Sequence, residues 1–298
     1  MSNGYLHPAY ATSLSEYGTP RHLPLSGTWV LVRRIEGTPY YDGRGLYPLT
    51  CCRDWSRLGE DMASLEDLVS LVFVADPFGH STTEDLLFLD KYSPYKYHCY
   101  VDTKLPCTPS EHHLRAAKRA RERLDHVTYV PHPHCILDDW MRLYSNLIDH
   151  HNIEGIAAFS ESAFATQLRV PGIAAWVATL DQEIVSILLW YIQSPWVAYY
   201  HLGASSQKGY EVGASHALFQ AAITSLSPHV RYISLGGGSG LSQKEDGLTR
   251  FKKGWAPITR TSYLCGKILR PDIYENLSKD KEGEYFPLYR TPQEEKKI

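Results

Sequence analysis

The residues best suited to chemistry lie in three short stretches of the last third of the chain. In the first, Tyr199–Ser215, an apolar strand runs into a loop of small residues that opens a helix. The second is the glycine turn Gly236–Gly240, and the third is the basic segment Gly247–Trp255. Backbone N–H groups at a helix start or in a glycine turn attract anions, as do Lys and Arg side chains. Together the three stretches indicate a site that binds a phosphate or stabilises negative charge.

The candidates for cofactor binding are small residues and cations that follow the two strands. A turn of small residues can present several N–H groups to one anion, although a plain turn at a strand end uses the same residues. Arg and Lys add charge to such a site, although an amphipathic helix also carries them on its surface. The candidate cofactor-binding residues are Ser205, Gly209, Gly213, Gly236, Gly237, Gly238, Arg250 and Lys253.

Three residues are candidates for catalysis. Lys252 could hold phosphates or stabilise charge on a reacting carbonyl, or it could be an ordinary helix-surface lysine. His201 ends a strand and titrates near neutrality, so it could take a proton from an ammonium, but one of 14 histidines is as readily structural. Asp246 could act as a base or cap the helix that follows it. No serine or cysteine has an obvious base beside it in the sequence, which favours direct attack without a covalent intermediate.

Composition limits the classes of function. The 298 residues are 43% hydrophobic, enough for two domains or one large one. A formal net charge of −3 means that nothing global draws the chain to nucleic acid or an acidic membrane, so any polyanion site must be local. The six cysteines lack the spacing of a disulfide framework, and the chain has neither a signal pattern nor an apolar run of membrane length. We expect a reduced, soluble, cytoplasmic protein, without a metal because His132, His134 and Cys135 have no companion pair.

The second half contains a readable order of elements that would position the candidates. It begins with an amphipathic helix from Ile136 and a second helix from Ser160. A two-residue turn at Asp181–Gln182 joins two strands into a hairpin. The remaining predictions are strands Ile173–Leu180, Glu183–Ile192 and Trp196–Leu202, a helix over Val212–Leu226, a strand over Arg231–Leu235, a short helix over Gly247–Trp255 and a strand over Ile258–Leu269.

The first half offers strands near Trp29, Leu68 and Tyr95, and one helix with a clear start. In Thr108–Glu111 the threonine can cap, proline fits the first turn and glutamate closes a capping box. The helix carries five basic residues, which form a solvated face or contact a phosphate backbone. They are Arg115, Lys118, Arg119, Arg121 and Arg123.

The predicted fold class is α/β, with an α+β mixed sheet and two similar units. The stretch His126–Cys135 has two prolines and no periodicity, and it is interpreted as the linker between the halves. The predicted divisions are an irregular lead-in over 1–25, an N-terminal unit over 26–130, a C-terminal unit over 136–276 and a charged tail over 277–298.

The chain resembles the GNAT acyltransferase fold in its Fem-type branch. The resemblance rests on Pro171–Gly172, on Tyr200–Ser205 before a helix, on the GGGSG turn, and on Gly247–Lys252, in which two residues separate a glycine from Arg-Phe-Lys. It is good over 136–270, where the motifs are clearer, and weaker before that. It implies that each half is a GNAT-like unit and that Lys252 lies near an acyl donor.

The resemblance further implies transfer of an acyl group to an amine by direct attack. The first expectation is an N-acyltransferase that uses acyl-coenzyme A, with a small-molecule or peptide amine as acceptor. The alternative is an aminoacyl-tRNA-dependent transferase that forms a peptide bond, and a further alternative is a non-catalytic GNAT-like binding module. Segment 206–213 replaces the usual pyrophosphate motif with looser glycine spacing, and no coiled-coil arm typical of the tRNA-using cell-wall enzymes is visible.

Overall fold

The computed structural model describes residues 3–79, 84–106, 108–151, 153–238 and 246–291, without the side chains of His150 and His151. The strands in this part of the chain are β1 (Thr19–Leu23), β2 (Thr28–Arg34), β3 (Tyr41–Gly45), β4 (Leu68–Ala75), β5 (Lys91–Asp102), β6 (His126–Val130), β7 (Ile173–Leu180), β8 (Glu183–Gln193), β9 (Val197–Ser205), β10 (Tyr232–Gly236) and β11 (Ile258–Ile268). The α-helices are α1 (Pro8–Thr12), α2 (Leu58–Ala63), α3 (Glu111–Arg123), α4 (Leu137–His151), α5 (Glu161–Gln167), α6 (Gln207–Val212), α7 (Ala214–Leu226), α8 (Gly247–Trp255) and α9 (Pro271–Ser278).

The predicted mixed α/β class with two units is confirmed, but the units are not continuous in sequence. One unit contains Met1–Ser13 and Lys96–Thr261, and the other contains Leu14–Tyr95 and Ser262–Ile298. The divisions therefore fall inside β5 and β11, whereas the sequence-based boundary lay at 126–135. That stretch belongs to the first unit because β6 pairs with β7 and α3 packs against α7.

The first unit, called unit 1, is a mixed sheet with helices on both faces. Its strands follow the order β5-β10-β9-β8-β7-β6, in which β9 and β10 are parallel and the other pairs antiparallel. On one face Trp190 and Tyr200 pack against Phe219 of α7. On the other face Tyr191 and His201 meet the aromatic side chains of the first 13 residues. Unit 1 therefore has two separate packing layers around one sheet.

The second unit, called unit 2, has the strand order β1-β2-β3-β4-β11, with β3 and β4 parallel. Trp55, Leu58 and Met62 from α2 and the turn before it pack on Leu71 and Phe73 of β4. Burial of these apolar side chains is the main favourable term for the unit. Unit 2 therefore has a hydrophobic core of its own.

Local sequence explains where several elements begin and turn. The β7–β8 hairpin is confirmed, and Asp181 and Gln182 adopt φ of 54° and 64°, as its tight turn requires. The start of α3 differs from the prediction, since Ser110 is the N-cap and its hydroxyl accepts from the His113 N–H. Thr108 lies two residues before that cap, outside the hydrogen-bonded turn.

The helix predicted over Val212–Leu226 is wrong in its start. The structure has two helices, α6 and α7, separated by Gly213 with a left-handed φ of 71°. Glycine adopts this conformation without a side-chain clash, so it ends α6 and turns the chain into α7. The hydrophobic periodicity continues across the break, which is why sequence reasoning merged part of the two helices.

Three segments predicted as irregular carry structure. The lead-in contains α1 and β1, and Tyr5 and Tyr10 are buried. The linker contains β6, which completes the edge of the unit 1 sheet. The described part of the tail, up to residue 291, contains the buried Tyr289 and the ion pair of Arg290 with Asp42. Each prediction failed because these residues pair or pack with partners distant in sequence.

Five cysteines lie in the described part of the chain, and all of them are free thiols. Cys107 lies outside it, as do Ser239 and Gly240 of the glycine turn. Among the described residues no helix is both long enough and apolar enough to span a bilayer.

Candidate functional site

The buried ammonium of Lys252 is the centre of the candidate site. Lys252 lies on α8 with 5% of its surface exposed, and its Nζ donates to the Gly237 carbonyl at 2.5 Å. The same Nζ lies 5.6 Å from the centre of the Tyr200 ring, within range of a cation–π contact. The sequence allowed an ordinary helix-surface lysine here, and the structure shows a buried one instead.

The surroundings of Lys252 shift its pKa downward. The pKa is lowered to about 8, with burial as the largest cause and the charge of the nearby Lys96 acting in the same direction, while Cys99 and Asp246 favour the charged form. At neutral pH the ammonium therefore remains mostly protonated. A charged donor in a site of restricted solvent access can stabilise a developing oxyanion more strongly than it could in water.

The glycine turn after β10 holds two lysines through its carbonyl groups. Lys252 binds the oxygen of Gly237, and Lys96 of β5 binds the oxygen of Gly238 at 3.4 Å. Gly236 has φ of +76°, which favours glycine, and its N–H contacts Ser234 Oγ at 3.4 Å. In its described residues the turn thus acts through carbonyl acceptors, whereas the sequence analysis had suggested a nest of N–H donors.

His98 adds a neutral imidazole to the site. It is buried, and its Nδ1 has no hydrogen-bond partner in the described part of the protein. Burial, followed by the charges of Lys252 and Lys96, lowers the pKa of His98 to about 3. A buried ring nitrogen without a partner is costly, which makes it a candidate contact for a bound ligand.

The course of β9 explains why Lys252 finds room. The pairing of β9 with β10 covers Val197–Tyr199, and Tyr200 is the next residue. At this point β9 also contains a bulge. Trp190 of β8 pairs with Tyr200 and Leu189 pairs with Leu202, so the backbone of His201 lies opposite no residue of β8 in the strand register. A bulge re-aims side chains and is frequent beside active sites. The ammonium thus meets the sheet where strand pairing ends.

Asp246 caps α8. Its Oδ1 accepts from the Thr249 N–H at 2.6 Å, which is the capping role considered in the sequence analysis. Burial lowers the pKa of both Lys96 and Lys252, and the negative charge of Asp246 offsets part of that shift. Asp246 therefore positions the helix that carries Lys252 and acts as a counter-charge for both lysines.

Comparison with known proteins shows the fold. No family model matches the chain, and no curated protein matches it. Among solved structures, FemX has a TM-score of 0.64 at 13% identity and covers 92% of this chain and 94% of its own. The C-terminal domain of a putative lysylphosphatidylglycerol synthetase from Agrobacterium fabrum has a TM-score of 0.61 at 15% identity, covering 89% and 88%. L-PGS from Bacillus licheniformis has a TM-score of 0.59 at 13% identity, covering 90% and 94%.

The chain has a Fem-type fold. The resemblance inferred from the sequence is thereby confirmed at the level of the Fem-type fold. The motifs that carried it lie together in unit 1, since the glycine turn and the Arg-Phe-Lys segment meet at the Lys252–Gly237 hydrogen bond.

Within this Fem-type fold, His201 lies apart from Lys252. Its side chain enters the other packing layer, where Nδ1 contacts the Tyr5 hydroxyl at 3.1 Å and Nε2 contacts Gln167 Oε1 at 3.2 Å. Burial lowers the pKa of His201 to about 3. Both ring nitrogens are thus occupied by protein partners, an arrangement that suits packing and orientation.

The loop that the sequence suggested for phosphate binding, between β9 and α6, forms hydrogen bonds within the protein. The Ser205 hydroxyl bonds that of Ser186 at 2.8 Å, and the Ser206 hydroxyl accepts from the Gly209 N–H at 3.2 Å. A Cβ on Gly209 would lie 2.3 Å from the Val185 carbonyl, so glycine allows α6 to approach β8. Gly213 forms the left-handed break before α7.

Arg250 and Lys253 are exposed on α8 and do not join Lys252 in its buried position. They lie on the helix next to α3, because the Ser110 N–H donates to the Gly254 carbonyl at 2.8 Å. The His113 ring also packs on Phe251, with 5.4 Å between ring centres. The basic residues of α3 and α8 therefore occupy neighbouring helices, and together they are called the α3–α8 basic face.

Sequence reasoning missed Lys96 and His98 as site residues. Both lie in the Tyr-Lys-Tyr-His stretch of β5, which had been noted only as part of the resemblance. Alternation along a strand places the two on the same face, and this period was the available signal. Their proximity to Lys252 depends on the pairing of Cys99 with Gly236, which the sequence does not reveal.

The structural position of His201 leads to a first prediction. Replacement of His201 by Phe should destabilise the protein by about 1–3 kcal/mol, because Tyr5 and Gln167 lose their buried partner. Any catalytic activity that the parent shows should stay unchanged per folded molecule. Urea unfolding and a steady-state assay measure the two effects, with the exposed His126→Phe as the matched control. A large loss of activity at unchanged stability would restore His201 to the reaction.

The pKa of Lys252 gives a second prediction. The pKa of Lys252 is about 8 in the folded protein and about 10.5 in the unfolded chain. The charged lysine therefore lowers the free energy of unfolding below pH 8, and this destabilisation disappears as pH rises towards 10.5. Lys252→Met should therefore be more stable than the parent at pH 7, by on the order of 3 kcal/mol from the pKa shift alone.

The stability difference between Lys252→Met and the parent should shrink between pH 8 and 10.5. Urea unfolding at a series of pH values measures it. The matched control is Lys104→Met, which replaces an exposed lysine of the same unit and should show no such trend. A difference that is independent of pH would contradict a depressed pKa at Lys252.

Proposed function

We propose that the protein is a Fem-type aminoacyltransferase in which Lys252 stabilises the oxyanion of acyl transfer. The observation that carries the proposal is a buried ammonium with donors to spare. An ammonium has three N–H donors. Within the described residues, one of these donors is used by the Gly237 carbonyl. The remaining donors can turn towards a carbonyl oxygen as it gains charge.

The reaction that fits this arrangement is direct attack of a neutral amine on an activated acyl carbon. The nitrogen forms the new amide bond and loses a proton, the bond to the donor oxygen breaks, and that oxygen gains a proton. Lys252 stabilises the intervening oxyanion, and the Nδ1 of His98 offers a hydrogen-bond acceptor that can orient the amine. The acceptor class is a small-molecule or peptide amine.

The proposed donor is aminoacyl-tRNA, because the α3–α8 basic face offers a polyanion several exposed cations in one unit. Arg115, Lys118 and Arg119 are exposed on α3, beside Arg250 and Lys253 of α8. The name of one similar structure, a putative lysylphosphatidylglycerol synthetase, agrees with transfer of an aminoacyl group. From the sequence, acyl-coenzyme A is the first expectation, partly because the net charge is negative. A local group of cations can still bind a polyanion when the total charge of the chain is negative.

The second candidate donor is a coenzyme A thioester. The observation in its favour is the start of α7, where Gly213 is the N-cap and no side chain caps the helix. The N–H groups of a helix start can bind a pyrophosphate. The α6 start next to it is less open to such a ligand, because the Ser206 hydroxyl already accepts from the Gly209 N–H.

Replacement of Lys252 tests the proposed chemistry. Transfer of label from a pool of charged tRNA into a mixture of small amines and peptides should fall by about 100-fold or more in Lys252→Met, the scale of losing one oxyanion donor. The parent rate should also fall above about pH 8, where the ammonium deprotonates, whereas Lys252→Arg should keep its residual rate there.

Two results would contradict this role of Lys252. One is full activity in Lys252→Met, which removes the residue from the reaction. The other is a parent rate that stays level through pH 9, which separates the reaction from the charge of Lys252. The control Lys104→Met should match the parent. Absence of transfer from both donors in the parent would favour the non-catalytic binding module.

Salt dependence distinguishes the donors. Each phosphate contact contributes about −0.7 to −0.9 to the slope of log affinity against log salt. The triple variant Arg115→Ala, Arg119→Ala and Arg123→Ala should therefore bind tRNA with a slope shallower by about 2 to 3. Fluorescence anisotropy over a salt series measures it, with Arg34, Arg57 and Lys279 replaced by Ala as the control set. An unchanged slope, with transfer from acetyl-coenzyme A, would make coenzyme A the donor.

A further inference from the structure

Unit 2 contains an arginine whose guanidinium forms no hydrogen bond or ion pair with the described residues. Arg44 lies on β3 and is half-buried, and within the described residues no hydrogen bond or ion pair holds its guanidinium. Its strand neighbours in the register are Leu31 of β2 and Val72 of β4, which offer no charge. A guanidinium carries five N–H donors, so a half-buried and unpaired one is costly.

The carboxylate that interacts with the charge of Arg44 is that of Asp42, and it is already shared by two other arginines. Asp42 is fully buried, and its oxygens accept from Arg33 Nε at 3.1 Å and from Arg290 Nε at 2.6 Å. The hydroxyl of Tyr289 donates to the same carboxylate at 3.2 Å. With Arg44, three guanidinium groups therefore face one carboxylate, which leaves a local charge of +2.

Three tyrosine side chains lie near enough to Arg44 to interact with its charge. Tyr95 and Tyr285 lie close enough to interact with its charge, and Tyr47 lies close to both Arg44 and Tyr95. Tyr95 and Tyr285 are 36% and 51% exposed, so this side of the group is open to solvent. Phenolic hydroxyls can donate to an anion that a guanidinium attracts.

The electrostatic surroundings of Arg44 favour binding of an anion beside its guanidinium. Burial, and then the charge of Arg33, lowers the pKa of Arg44, while Asp42 and the two exposed tyrosines act in the opposite direction by smaller amounts. An oxyanion beside the guanidinium would offset both unfavourable contributions. An apolar residue in place of Arg44 would avoid the costs of burial and of repulsion from Arg33. A charged residue at this position therefore supports a role in binding an anion.

We infer that Arg44, with Tyr47, Tyr95 and Tyr285 around it, binds the phosphate of a phosphomonoester. A phosphomonoester carries a charge of about −1.5 to −2 near pH 7, which matches the local excess of two positive charges, whereas a carboxylate would neutralise one. Its oxygens also accept from several donors at once, as a guanidinium beside phenolic hydroxyls can provide. Free phosphomonoesters and phosphatidic acid in a membrane share this chemistry.

The inference does not depend on the proposed transferase, because each residue of this site belongs to unit 2. Failure of one leaves the other unaffected. The test is binding, measured without any transfer reaction.

The experiment is titration calorimetry of the full chain with phenyl phosphate, inorganic phosphate and acetate, together with co-sedimentation on phosphatidylcholine vesicles with and without phosphatidic acid. The parent should bind at least one phosphomonoester, free or in vesicles, and bind acetate more weakly. Arg44→Gln should weaken that binding by about tenfold or more, and Tyr95→Phe by about threefold. Arg57→Gln, which replaces an arginine of the same unit that is ion-paired with Glu60, should bind like the parent.

The probe that loses affinity in Arg44→Gln identifies the source of the phosphate. Thermal unfolding of each variant shows whether it is folded, and Tyr95→Phe keeps the test valid if Arg44→Gln is not. No binding of any phosphomonoester by the parent, equal binding in Arg44→Gln and Arg57→Gln, or equal affinity for acetate would each overturn the inference.

Discussion

A charged amine inside a protein must be held by acceptors, and in unit 1 this constraint organises the candidate site. Lys252 is buried, and the acceptor that holds it is the carbonyl of Gly237, presented by a turn in which Gly236 adopts a left-handed conformation. A side chain at Gly236 would be strained by the φ of +76°, although its Cβ would meet Nζ only at an ordinary contact distance of 3.4 Å. The Asp246 cap, the end of pairing between β9 and β10, and the Tyr200 ring all serve the same ammonium.

Two adjacent residues of β9 lie on opposite faces of the sheet, one beside the candidate site and the other in a packing layer. Tyr200 lies beneath Lys252 and packs on Phe219 of α7. His201 points into the other layer, where Tyr5 and Gln167 occupy both of its ring nitrogens. A polar group so satisfied contributes to a unique packing of the core. The candidate with the more suitable reference pKa is thus the one that the fold uses structurally, because burial changes the pKa that the sequence suggests.

Charge acts locally in this protein. The total of −3 predicts little attraction for polyanions, yet exposed cations of α3 lie next to those of α8, and in unit 2 the Asp42 carboxylate binds two guanidinium groups while that of Arg44 has no ion pair among the described residues. Potentials near a surface depend on groups within about one Debye length, roughly 8–10 Å at physiological salt. The two proposed binding regions for phosphate-bearing ligands are therefore compatible with a slightly acidic chain.

Local patterns in the sequence determined the elements and much of the fold. Alternation and periodicity located the β7–β8 hairpin, the strand before the glycine turn and α8, since each depends on neighbours a few residues apart. The glycine turn and the Arg-Phe-Lys segment were enough to indicate the Fem-type fold and Lys252. Tertiary structure alone decided the rest: that Lys252 is buried, that Lys96 and His98 join it, that His201 does not, and that the terminal segments pack into the units. These outcomes depend on strand pairing and burial between residues outside one another's local sequence, such as Lys96 with Gly238 and Tyr5 with His201, and no local pattern in a single sequence encodes such contacts.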